Sequence, residues 1–209
     1  MANTKISFMG TLLSIQPRIR LTRSFDQRYH NYLGYCLTIQ GTIGEENRTF
    51  SVAIGKAAQE KFGFCADDNL QGECIPVLDR NLETAEFYKV SKLSKLSSGH
   101  PKVNPPPWEM IPPPLEVYRK RGARRLEEET YRKKCLTCIW GCNMSVEIII
   151  ERWHPKNNIF RRETFCYGPL SCIFYIAGPT RVVPRAMGKF YEEEASLDVE
   201  ETKHRDIDE

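Results

Sequence analysis

Apolar and polar residues alternate along residues 5–21, with Ile6, Phe8 and Leu12 in one phase and Leu13, Ile15, Ile19 and Leu21 in the other. A period of two marks a strand with one buried face. The phase slips by one between residues 10 and 13, as a β-bulge does to a long, curved strand. A second strand is expected over residues 32–43, with Leu33, Tyr35, Leu37, Ile39 and Ile43 on one face and Gly34 and Gly41 where bending is easiest. Beyond a turn at Glu45, Glu46 and Asn47, a third strand turns Phe50, Val52 and Ile54 inward, and residues 56–62 have helical composition. A turn over residues 67–73 leads into a strand ending at Val77, and a last strand spans residues 85–93.

Three strands, a short helix and two strands resemble the OB-fold, a five-stranded Greek-key barrel with its helix between strands three and four. The resemblance covers residues 4–97 and rests on this pattern. It implies a ligand face across strands 2–3 and their flanking loops, suited to single-stranded nucleic acid or sugars. The matching loop, residues 18–32, interleaves Arg18, Arg20, Arg23 and Arg28 with Phe25, Tyr29, His30 and Tyr32. Guanidinium groups suit phosphates and rings suit unpaired bases, so Arg18, Arg20, Arg23, Phe25, Arg28, Tyr29 and Tyr32 are the candidate nucleic-acid contacts. The competing reading is that the rings cap the barrel end. The outward residues Thr38, Gln40, Thr49 and Ser51 offer no stacking platform.

Residues 98–134 form a connector. Two proline triplets, residues 105–107 and 112–114, exclude helix and sheet interior, and Trp108 with Ile111 suggests docking within the same protein. Residues 115–134 are dense in charge. Glu127 to Glu129 precede Arg132 to Lys134 at helical spacing, predicting a short helix, and Arg119 to Arg125 would extend a cationic surface.

Five of the eight cysteines fall between residues 135 and 172, as Cys135-x2-Cys138-x3-Cys142 and then Cys166-x5-Cys172. Residues 144–151 and 159–167 read as a hairpin whose turn contains His154, so the return strand brings Cys166 beside the first pair. Two cysteine pairs joined by a hairpin resemble a zinc ribbon, although ribbons usually have two residues between the second pair. A tetrahedral zinc takes four thiolates at about 2.3 Å. Cys135, Cys138, Cys166 and Cys172 are the expected ligands, with Cys142 as the alternate. The closely spaced first three cysteines also leave an iron–sulfur cluster open. His154, at a hairpin tip, is a poor ligand. Four thiolates leave no place for a water nucleophile, so the metal is expected to be structural. Cys36, Cys65 and Cys74, without such spacing, read as small hydrophobes.

The fold class that follows is mainly β: an OB-type barrel over residues 1–97, the connector, a zinc-ribbon-like module over residues 135–190 and an acidic, disordered tail over residues 191–209. The net charge of +3 is segregated: residues 191–209 carry nine acidic and two basic side chains, so the body is basic. A basic body suits a polyanion, and an acidic tail can imitate one. No apolar run approaches a membrane span and no signal-peptide pattern opens the chain, so a cytoplasmic protein with reduced thiols is expected. No phosphate loop, Gly-x-Ser-x-Gly elbow or His-Glu-x-x-His motif is present. The chain thus reads as a non-enzymatic binder of single-stranded DNA or RNA. The alternatives are an accessory subunit that binds a protein partner and an iron–sulfur redox or radical protein.

Overall fold

In a computed structural model, which describes residues 4–24, 27–100, 106–151, 153–192 and 196–206, the chain is mainly β. β1 (Ile6–Arg23), β2 (Arg28–Ile43) and β3 (Glu46–Ile54) are followed by α1 (Lys56–Phe62), β4 (Asn69–Pro76) and β5 (Phe87–Ser97). β1 pairs with β2 along its length and with β4 from Ile6 to Thr11, and β4 pairs with β5. β3 pairs with β2 on one side and meets β5 through the single pair Val52 and Phe87. The five strands therefore close into a ring with one loose seam.

Inside the ring, Leu12, Ile15, Ile19, Leu21, Leu37, Ile39, Phe50, Val52 and Leu70 are buried. Each such side chain contributes about 1.5–3 kcal/mol of apolar transfer. The bulge falls between Leu12 and Ser14. Leu13 is its extra residue and faces outward, 39 % exposed, contrary to its expected inward phase. Gly34 has φ +137°, and a Cβ there would stand 2.1 Å from the Ile54 carbonyl oxygen, so only glycine lets β2 pass the end of β3.

The β1–β2 hairpin is longer than expected, because most of residues 18–32 is strand rather than loop; Phe25 lies outside the described residues. Ile19 and Leu21 carry the inward alternation onward, and Arg18, Arg20 and Arg23 find partners on the other face.

That other face builds the rest of the molecule from α2 (Leu115–Arg121), β6 (Arg124–Arg125), α3 (Glu128–Thr130), a π-helical turn (Tyr131–Cys135), β7 (Gly141–Ile148) and β8 (Ile159–Cys166). Arg20 to Arg23 of β1 pair in parallel with Ser145 to Ile148 of β7, which pairs with β8, which pairs with β6. Ring and cysteine hairpin thus share one sheet. Met144, Val146, Ile148 and Phe165 join the ring residues in a single buried cluster, so the hairpin has apolar support besides any metal. Trp108 packs against this cluster and its carbonyl accepts the Ile139 N–H at 2.8 Å, so the connector does lie on its own protein.

β9 (Val182–Pro184) and β10 (Phe190–Glu192) form a small hairpin, and α4 (Ser196–Thr202) follows. The tail was expected to be disordered. Its α4 instead docks, because Asp198 meets Arg125 at 3.0 Å and Glu201 meets Arg28 at 2.7 Å. Among the described residues no helix is long and apolar enough to cross a membrane.

Candidate functional site

Two places collect the residues singled out by the sequence. The first is the cysteine turn. The π-helical turn ends at Cys135, Cys138 lies in the turn that leads into β7, and Cys166 ends β8. These three pack with Leu126 and Tyr131 in one buried cluster. Burial pushes the Cys135 and Cys138 thiols up to about 12; neighbouring Cys166 and Cys172 add to the shift at Cys135, and Cys166 and Cys135 at Cys138. Cys172, in the loop after β8, is half-buried and stands outside that cluster. Cys142 is turned away: its Sγ donates to the Pro17 carbonyl at 3.2 Å, inside the core.

The surroundings of these sulfurs suit negative charge. Cys166 Sγ accepts the Gly168 N–H at 3.3 Å, and the backbone at Trp140 and Trp108 works against the upward shift at Cys138. Arg124, buried and with no carboxylate against it among the described residues, places Nη2 3.9 Å from Cys166 Sγ. It also donates to the Gly168 and Pro169 carbonyls and lies over the Tyr175 ring. A buried cation needs a counter-charge, and a four-thiolate divalent centre, net −2, would supply one. The donor set therefore fits zinc in kind. Among the described residues no three or more histidine, cysteine, aspartate or glutamate side chains stand in a metal-holding arrangement, so coordination would require the sulfurs to draw together.

Gln16 was not foreseen. It lies on β1 between two inward positions, where alternation predicts solvent. Its Nε2 instead donates to the Cys135 and Cys138 carbonyls at 2.8 and 3.0 Å, and its Oε1 accepts the Tyr131 hydroxyl at 2.7 Å. This ties the cysteine turn to the ring. The one sequence signal is a long amide in a strand otherwise studded with arginine.

The second place is the closed end of the β1–β2 hairpin. Arg18, Arg20 and Arg23 serve the protein's own packing. Arg18 pairs with Glu83 at 2.5 Å and Arg20 Nε donates to the Leu82 carbonyl at 3.1 Å. Buried Arg23 stands 3.6 Å from Glu163. Arg162 Nη2 adds bonds to the Arg80 and Glu83 carbonyls, and Ser145 Oγ bonds the Asn81 carbonyl. Residues 77–86, the β4–β5 loop, are thereby clamped to β1, β7 and β8.

Arg28, Tyr29 and Tyr32 do come together. With His30 and Arg119 they line a recess of about 460 Å³ beside Gly122 and Ala123. Tyr29 is 67 % exposed and the Arg119 guanidinium lies 5.0 Å from the Tyr32 ring centre. Burial pushes the Tyr32 phenol up to about 12, so it stays neutral and offers a ring rather than a charge. Glu201 of α4 enters this recess, with Arg28 on one side and the Ala123 N–H 3.3 Å away. The expected basic extension is partial: Arg121 donates to the Tyr167 carbonyl and lies over Trp140, while Arg124 and Arg125 are buried.

No family model, curated protein or solved structure matches the chain.

Proposed function

We propose that this chain is a non-enzymatic binder of single-stranded nucleic acid, built on an OB-type barrel and braced by a structural zinc held by Cys135, Cys138, Cys166 and Cys172. The observation that carries the reading is the recess at the hairpin end. Two guanidinium groups and three aromatic side chains surround a space that already takes a carboxylate, the chemistry wanted by a phosphate with an unpaired base beside it. The strand order of the ring and the helix between β3 and β4 support the barrel type. Because the β4–β5 loop is clamped to β7 and β8, the ligand surface is assigned to the recess rather than to the face between those loops.

Fluorescence anisotropy of a labelled thymidine oligonucleotide, titrated across salt concentrations, tests this. Affinity is expected to fall linearly on a log–log scale. Replacing Arg28 and Arg119 with alanine should lower the magnitude of the slope by about 1.4, two phosphate contacts at about 0.7 each. Absence of binding at low salt, or an unchanged slope in the double variant, would sink the reading.

Glu201 bears on the same site. Its carboxylate and a phosphate compete for Arg28, so Glu201→Gln is expected to tighten oligonucleotide binding about two- to fivefold, the equivalent of an ion pair worth about 0.5–1 kcal/mol. The same titrations read the effect, and weaker or unchanged binding would show that α4 does not compete.

A further inference from the structure

The loose seam of the ring is a second site. β3 and β5 meet only at Val52 and Phe87, and beyond that pair they diverge around a groove of about 830 Å³. Ile54 and Gly55 line one wall, α1 contributes Lys61 and Phe62, and the opposite wall is β5 from Tyr88 to Leu93. β5 uses its other edge for β4, where the register shifts repeatedly between Asn69 and Ile75. The wall from Tyr88 to Leu93 therefore presents strand backbone without a β3 partner, which is a template for an added strand.

The charged residues lining this groove are Arg18, Lys61, Lys89 and Lys92, all basic; Arg18 and Lys92 already pair with Glu83 and Glu73, and Lys61 and Lys89 have no carboxylate against them among the described residues. Lys89 and Lys92 both have φ +51°, a left-handed conformation that costs a non-glycine residue energy. Both fall where β5 slips register against β4. The floor is apolar, since Phe62, Val90 and Leu93 pack against the core.

We infer that the seam docks an extended acidic segment of a partner protein, which adds as a strand along β5. Its backbone would pair with residues 88–93, alternate apolar side chains would meet the floor, and acidic ones would meet Lys61 and Lys89. At about 3.3 Å per residue, that wall matches a segment of about six residues. Open strand edges favour a peptide over a nucleic acid, which has no amide ladder to contribute. This inference rests on the seam alone and not on the recess.

The probe is a fluorescein-labelled, acetylated peptide alternating glutamate and isoleucine over eight residues, measured by anisotropy against the full chain. Saturable binding is expected. It should weaken at least tenfold for the glutamine-for-glutamate peptide, for a peptide N-methylated at alternate amides, and for Lys61→Glu with Lys89→Glu. Arg28→Ala should leave it unchanged. Lack of saturation would overturn the proposal, as would an N-methylated peptide that binds equally well. Displacement of the peptide by the thymidine oligonucleotide from a chain carrying Arg28→Ala would reassign the groove to nucleic acid. Because the oligonucleotide titrations probe other residues, either reading can fail while the other stands.

Discussion

Cys138→Ser is expected to release the metal and to lower stability by more than about 4 kcal/mol, the range reached when a structural metal is lost. The serine hydroxyl is not a thiolate. The change also puts a polar hydroxyl into the buried cluster of Leu126, Tyr131, Cys135 and Cys166. Loss would spread through Gln16, which grips the Cys135 and Cys138 carbonyls from β1. Cys142→Ser is the control: its hydroxyl can donate to the Pro17 carbonyl as the thiol does, so metal content should stay at one per chain. Elemental analysis of protein purified without air, together with thermal unfolding, reads both. Zinc in a colourless protein is expected. Visible absorbance with bound iron would replace zinc by a cluster, and full stability of Cys138→Ser would remove the metal from the account.

Glu163→Ala should cost about 3–5 kcal/mol, because it removes a buried carboxylate that three arginines share. Glu163 lies on β8 against Arg23 of β1 at 3.6 Å, Arg161 at 2.5 Å and Arg181 at 2.7 Å. It and Arg23 are both buried, so this carboxylate bridges the join between the ring and the cysteine hairpin. Glu163→Gln keeps the shape and the acceptor oxygen and should cost less. Urea unfolding measures the difference; a loss under about 1 kcal/mol for the alanine variant would mean that the join is held by packing alone.

What the sequence displayed was local. Alternation located the strands of the ring, and the helical composition of residues 56–62 located α1. The slip near Gly10 announced the bulge, although which residue it expels, Leu13, depends on pairing with β2. Residues 18–32 misled because their charges look like a loop, and that polar face is covered by residues far along the chain, among them Glu83, Glu163, Glu201 and β7. The parallel pairing of β1 with β7 joins positions more than a hundred residues apart, and no periodicity records it. The tail misled for a related reason. Its acidic composition signals disorder, yet Asp198 and Glu201, three apart on one helix, match Arg125 and Arg28 on separate strands. At the recess, Tyr29, Tyr32 and Arg28 were visible as neighbours in sequence, while Arg119 joins them only through α2.

The central claim is that nucleic acid occupies the recess, and photo-crosslinking tests it most directly. A thymidine oligonucleotide irradiated on the full chain and digested with trypsin should leave its adduct on the peptide that begins at Tyr29, at Tyr29 or Tyr32. An oligonucleotide that crosslinks only elsewhere, such as at Tyr88 in the seam, or that does not bind at low salt, would contradict it.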